Sequence, residues 1–219
     1  VRALRQNGQR VAVLKPVATG ARRVGETWQS DDADRLIAAA QPPSADPIPL
    51  ERVAPFLFEE PLAPSLAARR AGHPLTLDML RKRTLDNLAW WSDHADLAVV
   101  EGVGGLLCPL AEDGTVLDLA EALDYPLLVV ARFALGTLNH TLMTVRLAQE
   151  RGLRVCGVLL NQTDTTPPGV AGQTASEELS RFLGQVPILG ENEFQHDSTL
   201  LCPAVRDVDW IQRVRTPRL

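Results

Sequence analysis

Short apolar, β-branched runs recur along this chain, separated by stretches with helical patterning. The runs are VAVLKPV (11–17), DLAVVEG (96–102), PLLVVA (126–131), LRVCGVLLN (153–161) and VPILG (186–190). They do not alternate polar with apolar, so both faces of each strand are expected to be buried, as inside a parallel sheet. Between them, Asp31–Ala40, Leu75–His94, Val116–Asp124, Thr137–Arg151 and Gln173–Leu183 read as helices. Strand alternating with helix predicts an α/β fold: a doubly wound, mostly parallel sheet flanked by helices. Ligands of such sheets bind beyond the carboxyl ends of the strands, so the residues just after each run are the ones to inspect.

The stretch from Gln41 to Pro64 is Pro-rich (PPSADPIP, then EEPLAP) and shows little periodicity. It reads as a long irregular excursion, because the strand–helix alternation resumes after it. No repeat or low-complexity tract appears, and 219 residues with 45% hydrophobic content can bury a real core. One domain over residues 1–219 is expected, with an unassigned tail at 196–219. A net charge of −5 gives no electrostatic case for binding nucleic acid or an anionic membrane. Cys108, Cys156 and Cys202 are scattered, odd in number and without metal-ligand spacing, which favours plain thiols in a reducing compartment. No apolar run approaches the ~20 residues of a membrane span, so a cytoplasmic location is expected.

Each strand end offers polar groups with two readings. Lys15, inside Lys15-Pro16-Val17-Ala18-Thr19-Gly20, is costly to bury without an anion, so it either faces phosphate or carboxylate or snorkels to solvent. Asp31, Asp32 and Asp34 open a helix, where acids favour the dipole; near a phosphate site they would also suit Mg²⁺. Glu101 ends a strand and is followed by Gly102-Val103-Gly104-Gly105, a loop whose N–H groups could close around an anion. Nucleotide hydrolases often hold Mg²⁺ with an acid at this position. Gly136-Thr137-Leu138-Asn139-His140 starts a helix, and helix N-termini bind carboxylates and phosphates. Asn161-Gln162 could read a base edge by hydrogen bonds, or simply begin a loop. Trp90-Trp91 reads as packing, and His73, His94 and His196 read as isolated surface residues.

Together, KPVATG (15–20), Asp32-Ala33, EGVGGLLCPL (101–110), GTLNH (136–140) and Asn161 resemble dethiobiotin synthetase in order and spacing, from Val1 to about Gly190. The resemblance implies a P-loop NTPase-like fold. It also implies an ATP- and Mg²⁺-dependent ligase of biotin synthesis, converting 7,8-diaminopelargonic acid and CO₂ to dethiobiotin. By the same resemblance Lys15 is catalytic, Thr19 hydrogen-bonds substrate, and Asp32 and Glu101 bind Mg²⁺. Glu101, Gly102, Val103 and Gly104 line the phosphates, and Asn161 with Gln162 holds adenine. The segment matching Gly136, Thr137, Leu138 and Asn139 grips the substrate carboxylate across a two-fold interface, which implies a homodimer.

Two departures from the family pattern stand out. The family begins with a strand and a GxxxxGK[ST] loop, and no such motif occurs in these 219 residues. VRALRQNG reads as the second half of the helix that follows that loop, so the sequence looks truncated at its start. A central strand would then be missing, and Val1–Leu219 alone is expected to be poorly soluble and inactive. The family's Pro-aromatic-Leu element is also replaced, by Asn192-Glu193-Phe194-Gln195 after Gly190-Glu191. The rival readings are a cobyrinic acid amidating synthetase domain, a partition-type ATPase that switches partners, and a non-catalytic remnant.

Overall fold

In the computed structural model, which describes residues 1–41, 46–195 and 203–215, the chain divides into two units, Val1–Leu123 and Asp124–Leu219. The first opens with helix α1 (Arg2–Gln6), which stops at Asn7 and at Gly8, where φ is 80°. Strand β1 (Val11–Leu14) follows and is buried throughout. The apolar run to Val17 is not one strand. It breaks at Lys15-Pro16, because proline has no N–H to give a ladder, and β2 (Val17–Thr19) pairs elsewhere. A hairpin of β3 (Arg22–Val24) and β4 (Thr27–Gln29) leads into α2 (Asp31–Ala40), which has the predicted bounds. Ser30 caps α2, its hydroxyl accepting from the Ala33 N–H.

The Pro-rich stretch is more ordered than the sequence suggests. It holds α3 (Leu50–Val53) and β5 (Phe56–Phe58), and α4 (Pro64–Arg70) begins at its end. These elements are too short to show a period. Residues 42–45 of that stretch lie outside the described residues. β5 runs parallel to β2, with Thr19 opposite Phe58. Helix α5 (Leu77–Trp91) is shorter than predicted, capped by the Thr76 hydroxyl. β6 (Leu97–Val100) pairs parallel with β1, from Val11 opposite Leu97 to Leu14 opposite Val100. β6 is half-buried rather than buried, since Ala98, Val99 and Val100 lie at the margin of the core centred on β1. A short hairpin, β7 (Pro109–Ala111) and β8 (Gly114–Thr115), precedes α6 (Val116–Leu123).

Two clusters hold this unit together. One packs β1 against Ala33 and Leu36 of α2, Val53 of α3 and Trp91 of α5. The other gathers Val17, Phe58, Ala67, Ala68, Leu80 and Leu119. Full burial of each Val or Leu in β1 contributes about 1.5–3 kcal/mol over exposure. β1 is thus a rigid base for whatever stands at its end.

The second unit contains β9 (Leu127–Arg132), α7 (Thr137–Glu150), β10 (Val155–Asn161), α8 (Gly169–Gln173), α9 (Ala175–Phe182) and β11 (Ile188–Asn192). Its strands form a parallel sheet in the order β11-β10-β9. The central β10 is buried from Val155 to Leu160, as its sequence predicts. β9 departs from prediction: its burial alternates, and Leu128 and Val130 are 40% and 58% exposed. An apolar run alone does not reveal that only one face of its strand is covered. In the tail, α10 (Pro203–Arg206) and α11 (Trp210–Arg215) fold onto this unit. The Arg154 guanidinium donates to the carbonyls of Arg213 and Val214 there. Parallel strands flanked by helices make the fold α/β, as read from the sequence.

Candidate functional site

Lys15 and Glu101 stand one step past the last register pair of β1 and β6. The Glu101 N–H continues the ladder by donating to the Leu14 carbonyl, at 2.8 Å. The Lys15 N–H turns away and donates to the Val53 carbonyl at the end of α3, also at 2.8 Å. With its backbone fixed at both sides, the Lys15 side chain lies buried, 5% exposed. Its Nζ reaches three acceptors: Glu101 Oε1 at 2.7 Å, the Gly102 carbonyl at 2.9 Å and Asp32 Oδ2 at 3.0 Å. An ammonium has three donors and no acceptor, so this set satisfies it fully. That satisfaction offsets the desolvation that a lone buried cation would suffer.

The carboxylates face outward as well as inward. The side chains of Asp32 and Glu101 are 51% and 45% exposed while each holds Lys15. Two of the three first-turn acids of α2 have different partners. Asp31 pairs with Arg22 of the hairpin at 2.8 Å, and Asp32 turns to Lys15. In the glycine loop, Gly102 gives Lys15 a carbonyl rather than an N–H. A Cβ on Gly102 would press on Val116 at 3.1 Å, and Gly104 has a φ of +64°, so the loop's path depends on both glycines. Val103 packs into the second core cluster. Thr19 ends β2, and no hydrogen bond is made by its hydroxyl among the described residues.

The strand ends of the second unit look different. Gly136, with φ 93°, is the N-cap of α7. Thr137 is buried, its hydroxyl 3.4 Å from that of Thr141, whereas Leu138, Asn139 and His140 are exposed. Asn161, at the end of β10, accepts from the side-chain amide of Asn192 beside it on β11. Gln162 is held at both ends: its Nε2 donates to the Thr166 carbonyl at 2.8 Å, and its Oε1 accepts from the Phe194 N–H at 3.2 Å. Within the same loop the hydroxyl and N–H of Thr166 hold the Asp164 carboxyl below its ordinary range.

A family model described as an AAA domain matches residues 1–199. The chain is 39% identical over 183 residues to an ATP-dependent dethiobiotin synthetase of Bacillus licheniformis, covering 82% of this chain and 71% of that protein. It is 38% identical over 188 residues to the corresponding protein of Ralstonia nicotianae, covering 86% and 77%. With one from Anaeromyxobacter dehalogenans the identity is 42% over 163 residues, covering 74% and 68%. The chain belongs to the dethiobiotin synthetase family.

Within that family assignment, the donor chemistry of Asp32 and Glu101 suits Mg²⁺. The ion takes hard oxygen ligands and is usually held by one or two carboxylates together with substrate phosphates. Among the described residues no group of three or more His, Cys, Asp or Glu side chains is placed to hold a metal without such help. Cys108 and Cys156 are free, and burial pushes both thiols up, which makes them poor nucleophiles. Trp91 packs into the core as predicted. His94 is not isolated: its ring stacks on Trp90 at 5.2 Å. Cys202 and His196 lie outside the described residues. No helix among the described residues is long and apolar enough to cross a membrane. The sequence gives no sign of the part played by Val53, whose backbone carbonyl positions Lys15 from inside the Pro-rich stretch.

Proposed function

We propose that this chain is an ATP-dependent dethiobiotin synthetase of biotin biosynthesis, acting on 7,8-diaminopelargonic acid, CO₂ and MgATP. The observation that supports this best is the convergence of Asp32, Glu101 and Gly102 on Lys15 at the ends of paired parallel strands. One substrate amine attacks CO₂, forming a C–N bond and a carbamate. A carbamate oxygen takes the γ-phosphoryl group, and ADP leaves. The second amine then attacks the carbonyl carbon, the cyclic urea closes and phosphate departs.

Each step places negative charge on oxygens, and a fixed cation in a dry site stabilises that charge. Lys15 is the side chain suited to this, and the Thr19 hydroxyl, which makes no hydrogen bond among the described residues, would donate to substrate. Asp32 and Glu101 would hold Mg²⁺, which when bound neutralises phosphate oxygens. Glu101 to Gly104 would line the phosphates, and Asn161 with Gln162 would lie at the adenine. The N-terminus of the 14-residue α7, at Gly136–Asn139, suits the substrate carboxylate. A homodimer in which that segment serves the partner's site completes the reading.

The test is direct. The protein encoded by its natural reading frame is incubated with diaminopelargonate, bicarbonate and MgATP, and dethiobiotin and ADP are quantified. Equal amounts of both products, dependent on all three substrates, are expected. ADP release that ignores diaminopelargonate would overturn the reading.

A further inference from the structure

Lysine is rare in this chain. Arginine occurs twenty times, but lysine stands only at 15 and 82. Lys82 is exposed on α5, whereas Lys15 is buried between the outer pair of carboxylates and the Gly102 carbonyl. A compact ammonium fits three acceptors converging within 3.0 Å; the flat, forked guanidinium used at twenty other positions would not. The two carboxylates that hold Lys15 are also the ones suited to a divalent cation.

We infer that Lys15 is the internal counter-ion of the Asp32–Glu101 metal site, so that Lys15 and the metal compete for the same two carboxylates. The inference rests on the assignment of these carboxylates to Mg²⁺. With Lys15 in place, two carboxylates face one buried cation. When a divalent ion takes those oxygens, Lys15 loses its charged partners. A buried ammonium stripped of its anions is strongly unfavourable, so it must find another anion. The phosphate and carbamate oxygens of the reaction are the anions at hand. Metal entry thus releases Lys15 toward the group being transferred, and each ligand raises the affinity for the other by linkage.

Metal binding without nucleotide tests this. Mn²⁺ affinity is measured by electron paramagnetic resonance for the wild type and for K15M, D32N and E101Q. Removing a unit charge a few ångströms from the carboxylates should tighten Mn²⁺ binding in K15M by at least about tenfold. In parallel, wild-type protein carrying ¹³Cε-lysine is titrated with Mg²⁺ by NMR, with K15R and K82R identifying the two resonances. The Lys15 signal should shift while that of Lys82 stays still; this arm does not depend on how K15M folds. A Lys15 resonance that does not move, or a K15M protein that binds Mn²⁺ no better than wild type, overturns the inference. If D32N and E101Q lose Mn²⁺ in that case, the metal assignment stands and only the competition fails. If both bind as wild type does, the assignment fails as well.

Discussion

The paired strands β1 and β6 carry a cross-strand ion pair at each end, and the two pairs differ. Both join residues 86 apart in sequence, Arg10 with Asp96 before the strands and Lys15 with Glu101 after them. At the first end Arg10 gives its backbone N–H and its guanidinium to Asp96, and the two side chains are 60% and 40% exposed. That pair closes a ladder in water, where exposed ion pairs contribute little. At the other end the cation is buried, a second carboxylate joins from α2, and a carbonyl completes the set. The same charge chemistry is a clasp at one end and a candidate reaction site at the other. Burial of the cation and convergence of a third element make the difference.

The largest effects should come from the buried end. E101Q and K15M should each lower dethiobiotin formation by about a hundredfold or more, the scale seen when a charge-stabilising group is removed. D32N should follow them, with its loss partly recovered at high Mg²⁺. Next in size is a change to the strand between the two ends. Leu14→Ala empties a fully buried position and should cost about 2–5 kcal/mol in urea unfolding. A stability unchanged by this substitution would mean that β1 is not the rigid base described above. Thr19→Ala removes a hydroxyl with no hydrogen bond among the described residues, so it should raise KM by the equivalent of about 0.5–1.5 kcal/mol of binding and leave stability unchanged.

The smallest effect belongs to the exposed end. Arg10, by hydrogen bond and charge, holds the Asp96 carboxyl below its ordinary range. A depressed carboxylate stabilises the fold above the ordinary carboxylate pKa, and the contribution disappears as pH falls through the lowered value. D96N should therefore flatten that part of the acid unfolding curve slightly, less so in high salt. It should leave activity untouched. A D96N protein with impaired turnover would show that the two ends are not functionally distinct.

Lys15, Asp32 and Glu101 can be nominated from sequence because strong motifs sit beside strong strands, and the fold brings the three together. Their partnership could not be read, since Asp31, Asp32 and Asp34 are equivalent as helix-start acids until the fold turns one of them to Lys15. The elements at Leu50–Val53 and Phe56–Phe58 were hidden by brevity and proline content, yet they anchor the Lys15 backbone and pair with the strand carrying Thr19. In the second unit the buried run of β10 was plain, but β9 hid its alternation behind uniformly apolar residues. Gln162 shows a further limit. Its residue type suits base recognition, and only the fold reveals that Thr166 and Phe194 fix the orientation of its amide by one hydrogen bond at each end.

The most direct measurement compares E101Q and D96N side by side. Dethiobiotin formation from diaminopelargonate, bicarbonate and MgATP is followed for both variants and the wild type, with thermal unfolding recorded on the same samples. E101Q should lose at least about a hundredfold in rate while remaining folded, and D96N should keep the wild-type rate. Equal losses in the two variants, or an E101Q enzyme that turns over normally, would contradict the assignment of the reaction to the buried end of β1 and β6.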